Sequence, residues 1–325
     1  MNNSSDRPII IVTRGSALAL AQTHLILAMC HKAFPELSFD FQVIKTTGDK
    51  LQTASMAKTD PSLPKGLFTK ELEVALLNGQ ADLAVHSLKD LPTELPDGLI
   101  LAATSEREDV RDVLIYRAEG RSGFRGFQSH AALKDFPQGA TIATSSTRRA
   151  AQLKLARPDF HIVEIRGNVT TRMSKVAERA ELDATVLALA GISRLKFNIA
   201  PDGRLSGEGV PDGLLASVID VETMLPCVGQ AAIGIEIRAG DERIATICNK
   251  LNHRETFQAV TAERAFLRGM GGGCQSPVAA YAEIVGDNIA MRAVSFRDGP
   301  AKRAEGRRAV SDAFQLGEEL AARLK

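Results

Sequence analysis

Short unbroken apolar runs alternate along this chain with segments of helical period. Ile9-Ile10-Ile11-Val12 leads into Thr13-Arg14-Gly15-Ser16 and then a helical stretch from about Ala17 to Lys32. A run of that length with no polar alternation predicts a strand buried on both faces, as in a parallel sheet. The order recurs at Ala140 to Ala143, then Thr144 to Arg149, then a helical Ala150 to Ala156. It recurs again at Ile162 to Ile165, then Arg166 to Arg172, then a helical Met173 to Ala180. Strand, small-polar-plus-arginine turn, helix is therefore a unit used at least three times. Phe68 to Leu77 predicts an amphipathic helix and Asp82 to Val85 a strand, which runs on into His86-Ser87-Leu88-Lys89-Asp90. Thr185 to Leu189 predicts a strand that enters a turn and helix at Ala190 to Arg194, and Ala231 to Ile237 predicts a further strand. Strands alternating with helices give an α/β architecture.

The last part of the chain has a different pattern. A long helix is predicted from Glu255 to Arg268, broken by Gly269-Met270-Gly271-Gly272-Gly273-Cys274. Val278 to Val285 and Ile289 to Val294 flank Gly286-Asp287-Asn288, a hairpin signal, and a terminal helix spans about Ser311 to Leu324. This reads as a small α+β domain. The polar Thr104 to Asp112 and the Gly/Pro-rich Pro201 to Gly213 read as linkers.

Length and charge narrow this picture. A chain of 325 residues suggests two or three domains, and 44% apolar with 24% charged residues is the composition of an ordinary globular protein. A formal net charge of +1 gives no bulk electrostatic reason to bind nucleic acid, so anion selectivity has to come from local clusters. The N-terminal MNNSSDRP has neither a basic segment nor an apolar one, and no run reaches the length of a membrane span. The expectation is a cytoplasmic protein with no membrane partner. Cys30, Cys227, Cys248 and Cys274 form no C-x-x-C and have no zinc-ligand spacing, so no metal and no disulfide framework are expected.

Candidate chemistry gathers at the predicted strand ends. Arg14, Arg148, Arg149, Arg166, Arg172 and Arg194 fall at or just past such ends, the edge that faces the ligand crevice in open α/β sheets. One arginine at a turn is usually solvated surface or a helix cap, whereas six at equivalent places suit a ligand with many carboxylates or phosphates. Ser16, Thr144, Ser145 and Ser146 add hydroxyl donors, and no nucleotide-phosphate motif is present. Asp49 and Asp90 are candidate acids, and Asp90 could stabilise a developing cation or move a proton. His86 lies on its strand rather than past its end and reads as a packed or hydrogen-bonding residue. Cys274 sits on a glycine-preceded loop that no regular element hides, a candidate nucleophile or attachment point. Cys30, Cys227 and Cys248 read as small packing residues.

These residues bring a family into view. Lys65-Gly66-Leu67-Phe68-Thr69-Lys70-Glu71-Leu72-Glu73 and Ala84 to Pro92 resemble the hydroxymethylbilane synthase (porphobilinogen deaminase) signature. So do Thr144 to Arg149, Arg166-Gly167-Asn168-Val169 and Val228-Gly229-Gln230, and Ala262 to Gln275 resembles the family's cofactor-attachment motif. The similarity runs from about Ile11 to Ala282 with order and spacing intact. It implies two lobes like those of type II periplasmic binding proteins, residues 1–107 with 231–250 and residues 108–230. A third α+β domain, residues 251–325, would carry the cysteine. It implies a dipyrromethane cofactor joined to Cys274 by a thioether, on which four porphobilinogen molecules are deaminated and added head to tail to give hydroxymethylbilane. By resemblance, Asp90 is the essential carboxylate that stabilises the pyrrole nitrogens and the cationic azafulvene. The arginines named above bind carboxylates, and Arg148, Arg149, Ser16, Asp49, Lys89, Thr144 and Ser146 lie about the cofactor. Lys65 and Phe68 flank the site, and the protein is a monomer. Ala143 and Ala231 stand where the family usually has glycine.

Two other classes fit parts of the pattern. A non-catalytic two-lobed anion-binding module would need only the lobes. A cysteine hydrolase would need Cys274 paired with His86.

Overall fold

The computed structural model describes residues 7–48, 68–120, 122–273 and 276–325. Strands β1 (Ile9–Arg14), β2 (Phe39–Ile44), β3 (Leu83–Ser87), β4 (Leu99–Thr104) and β12 (Ile233–Arg238) form one sheet in the order β2-β1-β3-β12-β4. Strands β5 (Asp112–Arg117), β6 (Thr141–Ala143), β7 (His161–Val163), β8 (Ala184–Ala188) and β11 (Leu214–Ile219) form a second, β7-β6-β8-β5-β11. The two orders are the same. In each sheet three parallel strands come first, then one strand antiparallel to both of its neighbours, then an edge strand. The antiparallel strand is in each case the first after the chain has crossed from the other sheet: β5 after residues 105–111, β12 after residues 220–232. This double crossing between two mixed α/β lobes is the architecture expected of type II binding-protein lobes.

The repeated unit is visible in the helix caps. Ser16 accepts a hydrogen bond from Ala19 N at the start of α1 (Ala17–Ala33), and Ser146 accepts one from Arg149 N at the start of α3 (Thr147–Ala156). Asn168 does the same for Thr171 N at α4 (Val169–Glu178). α2 (Lys70–Leu77) precedes β3, and α5 (Leu189–Arg194) follows β8. On β5, Val113 and Ile115 pack into one cluster with Met173 and Val176, while Leu114 and Tyr116 pack into another with Phe160 and Ile142. Both faces of the strand are buried, which is why it reads as a continuous apolar run rather than an alternating one.

Helices α6 (Glu242–Leu251) and α7 (Arg254–Gly269) follow β12, and α8 (Ala313–Leu324) ends the chain. Strands β13 (Val278–Val285), β14 (Asn288–Ser295) and β15 (Lys302–Ala309) form a three-stranded antiparallel sheet. It packs on α7 and α8 through Phe266, Met291, Leu316 and Leu320. A Cβ on Gly317 would lie 2.1 Å from Ala262 O, so glycine lets these two helices approach closely. Glu263 on α7 ties this unit to both crossings. Its carboxylate accepts a bidentate pair from Arg107 at 2.7 and 3.0 Å, and also accepts Gly229 N and Ala282 N at 2.8 and 2.9 Å.

The stretch Pro201 to Gly213 is not a linker. It contains β10 (Leu205–Ser206), paired with β9 (Asn198–Ile199), and Arg204 bridges to Leu215 on β11, so it belongs to the second lobe. Its glycines and prolines serve tight turns, a local need that composition alone does not separate from a boundary. The strand predicted from Ala231 begins at Ile233, because Ala231 has φ +72° and turns the chain. That backbone costs a residue with a Cβ about 1–2 kcal/mol, a cost that a glycine here would avoid.

Candidate active site

Where the two lobes and the third unit meet lies a cavity of about 170 Å³. The first lobe contributes Lys89 and Asp90 from a single 3₁₀ turn that follows β3. The second contributes Ser146, Arg148 and Arg149 from the first turn of α3 and the residue that caps it. Cys227 and Gln230 come from the second crossing, and Gly273 and Ser276, which bracket positions 274 and 275, come from the third unit. A larger cavity of about 420 Å³, lined by Glu222, Arg292, Arg303 and Arg323 among others, shares none of these residues.

Arg148 and Arg149 are the most constrained of the arginines expected here. Arg148 donates from Nη2 to Asp112 Oδ2 at 2.8 Å and from Nη1 to Leu225 O at 2.6 Å. Arg149 donates from Nη2 to Asp112 Oδ1 at 2.7 Å and from Nη1 to Val186 O at 3.0 Å. Both are buried, and the Nε–H of each is buried without a hydrogen-bond partner among the described residues. Burial alone would raise the Asp112 carboxyl, but the two guanidinium groups outweigh it and hold that carboxyl well below the usual carboxylate range. A carboxyl lowered in the folded state adds stability that is present above its unfolded pKa, about 3.9, and lost as the pH falls below it. Wild-type thermal midpoints should therefore drop on acidification from pH 5 to pH 3. Asp112→Asn, starting about 3–5 kcal/mol lower for its unbalanced buried cations, should show a shallower drop. Parallel slopes in the two melting series would remove Asp112 as the acid-sensitive group.

The other expected residues divide. Thr144 Oγ1 accepts Ser146 N at 3.2 Å, so it shapes the turn that presents Ser146. Arg172 donates from Nε to Gly167 O at 2.8 Å. Burial and the neighbouring Arg149 push its guanidinium down to about 10, against the pull of Asp90. An arginine held that way gains from a nearby anion. Arg194 reaches the second crossing, donating from Nη2 to Ala231 O at 2.5 Å, and burial pushes it down to about 10 while Glu108 pulls the other way. Its Nε is also buried without a partner among the described residues. Arg14, the last residue of β1, lies over the Phe68 ring at 4.2 Å. Ser16 caps α1. Arg166 is 48% exposed, sits 3.6 Å from Glu164 and does not line the cavity. Asp49, Lys65 and Cys274 lie outside the described residues.

Several roles differ from the sequence reading or were absent from it. Cys227, read as a packing residue, lines the cavity half-buried and donates from Sγ to Gln230 Oε1 at 3.3 Å. Asp112 carried no signal beyond its place at the head of an apolar run. His86 is buried with Nε2 2.9 Å from Glu236 Oε2 on the neighbouring strand, committed to the sheet and away from the cavity. That placement argues against a Cys274–His86 hydrolase. Burial pushes the Cys30 thiol up to about 11 and the Cys248 thiol to about 12, so neither is a ready nucleophile. Among the described residues no cluster could hold a metal ion, and no helix is long and apolar enough to cross a membrane.

Comparison with known proteins agrees with this geometry. Residues 9–246 match the family model described as porphobilinogen deaminase, dipyromethane cofactor binding domain, and residues 257–325 match the porphobilinogen deaminase C-terminal domain. The porphobilinogen deaminase of Syntrophus aciditrophicus is 46% identical over 317 residues, 97% of this chain and 94% of that one. That of Syntrophomonas wolfei is 41% identical over 297 residues, 91% of this chain and 88% of that one. Among solved structures, the second substrate binding domain of a putative amino acid ABC transporter from Streptococcus pneumoniae is 15% identical. It overlaps 75% of this chain and 92% of that one at a TM-score of 0.41, a partial likeness that says nothing of function. Two adjoining family models that take in both lobes and the third unit, and relatives matched over nearly their whole length, show that the chain belongs to the porphobilinogen deaminase family.

Proposed function

We propose that this transferase, which polymerises porphobilinogen in tetrapyrrole biosynthesis, does so in the 170 Å³ cavity, with Asp90 as its catalytic carboxylate and Cys274 as the anchor of its primer. The observation that carries the assignment is the convergence on one cavity of Lys89 and Asp90, of Ser146, Arg148 and Arg149, and of the residues either side of 274–275. The cavity suits the dipyrromethane cofactor of the family. Its walls carry cations, and the Nε donors of Arg148 and Arg149 are buried and still need acceptors, which pyrrole acetate and propionate groups supply. When bound, that cofactor supplies the primer to which pyrrole units are added.

The residues of the chain then take distinct tasks. Arg148, Arg149 and Arg172 bind substrate and cofactor carboxylates, with Arg14, Arg166 and Arg194 further along the crevice. Ser146 and Lys89 donate hydrogen bonds inside the cavity, Thr144 holds the turn that presents Ser146, and Ser16 caps α1 just past the end of β1. Phe68 holds Arg14 by its ring, and for Lys65 and Asp49, outside the described residues, the family resemblance implies an active-site-loop residue and an acid for the cofactor. Asp90 accepts pyrrole N–H groups and offsets the positive charge that develops on porphobilinogen as ammonia leaves. The lobes comprise residues 1–107 with 231–250 and residues 108–230, and residues 251–325 carry the anchor. The family resemblance implies a monomer, and the three described cysteines are free thiols, in keeping with the cytoplasm.

Intact mass of the denatured protein tests this directly. The expected result is an excess equal to two deaminated porphobilinogen units that maps to the Cys274 peptide. A protein that carries no such excess, gains none on incubation with porphobilinogen and releases no ammonia would defeat the assignment.

A further inference from the structure

We propose that Asp112 is a positioning residue for this reaction, its buried carboxylate setting the spacing, tilt and net charge of the Arg148–Arg149 pair. The inference rests on the reading that these arginines receive pyrrole carboxylates. Asp112 is the first residue of β5 and is 0% exposed. Its Cα is fixed on both sides, paired with Ala188 of β8 and Ile219 of β11. From that fixed point each carboxylate oxygen takes one guanidinium, Oδ2 that of Arg148 and Oδ1 that of Arg149, at 2.8 and 2.7 Å. Gln230 Nε2, which also donates to Val110 O at 2.7 Å, gives the carboxylate its third hydrogen bond, the second on Oδ1, at 2.9 Å.

The consequence is geometric. Each guanidinium is pinned at Nη2 by Asp112 and at Nη1 by a backbone carbonyl, so neither plane can turn. The Nε of each is the guanidinium nitrogen left with no partner among the described residues. The charge is set as well. Two arginines and one aspartate leave a net charge of +1, which one incoming carboxylate neutralises. Without Asp112 the two cations would repel each other and turn independently. A glutamate would carry the same charge but push both planes about 1.5 Å toward the cavity, one C–C bond length further. Misplacement on that scale costs up to about a hundredfold in rate where orientation matters.

The test compares wild type with Asp112→Glu, reading the thermal midpoint, kcat and KM separately, and the affinity ratio for porphobilinogen over its dimethyl ester, esterified at both side chains. The ester keeps the pyrrole and aminomethyl group but lacks the anions. Asp112→Glu should melt within a few degrees of wild type, raise KM for porphobilinogen about tenfold or more, and lose most of the acid-over-ester preference. A defect of the fold alone would weaken acid and ester equally. Should the longer side chain prevent folding, Asp112→Asn keeps the volume and frees the two guanidinium planes, and read at a temperature below its lowered melting midpoint the same ratio should fall through lost orientation. A folded variant with the wild-type ratio overturns the positioning role. A wild type that does not distinguish acid from ester would instead count against the carboxylate-binding reading beneath it.

Discussion

Asp90→Asn is expected to lower kcat by about a hundred- to a thousandfold while leaving the fold intact. The two side chains have the same shape, so the cavity keeps its volume. Asp90 makes no hydrogen bond or ion pair with another described residue, and its turn is held by the backbone, with Leu91 N donating to Leu88 O. Folding therefore loses little, within about 0.5 kcal/mol, as for a surface replacement. The charge is what changes. Deamination of porphobilinogen leaves a cation beside a wall already holding Lys89, Arg148 and Arg149. Asp90 is the only carboxylate among the described residues lining that cavity, and an amide cannot offset the new charge. The loss should fall on kcat rather than KM, since the arginines that bind the carboxylates are untouched. Ammonia release under saturating porphobilinogen, with a melting curve on the same sample, measures both halves. A well-folded variant with wild-type kcat would strip Asp90 of its role.

The strands that could be read from sequence are those buried on both faces, because burial there writes an unbroken apolar run: Ile9 to Val12, Ala184 to Ala188, Ile233 to Ile237. The turns after β1 and β6 were legible too, since serine caps and arginines mark them. Strand β15, Lys302–Ala309, was not, because it is a charged edge strand whose buried side chain is Ala304. Its partner β14 specifies it through register rather than through its own sequence. The site was legible as far as residue types announce it. The cations were visible, but the anion that orders them was not. Asp112 stands in the sequence as one more acid after a polar stretch, and only the fold brings it against residues 36 and 37 positions away. Cys227 likewise reads as packing until the second crossing carries it into the cavity wall. Arg166 occupies the equivalent turn, and its side chain lies 3.6 Å from Glu164, outside the residues that line the cavity.

Cys274→Ser should yield a folded protein with no covalent cofactor and no measurable turnover. The argument is one of nucleophile and leaving group. A cysteine thiol has a pKa near 8.5 and supplies enough thiolate at neutral pH to form a thioether, whereas a serine hydroxyl is scarcely ionised. The neighbours of this position already face the chemistry, as Gly273 and Ser276 line the cavity with Asp90. Other thiols offer no simple substitute: Cys30 and Cys248 are buried with raised pKa values. Cys227 is the one described thiol on the cavity wall, where it already donates to Gln230. The measurement is therefore intact mass of the denatured variant before and after incubation with porphobilinogen, followed by peptide mapping. The bare polypeptide mass in both samples is the expected result. A cofactor found on the Cys227 peptide would show that the cavity rather than one residue selects the anchor, and a normally loaded serine variant would move the attachment away from residue 274 altogether.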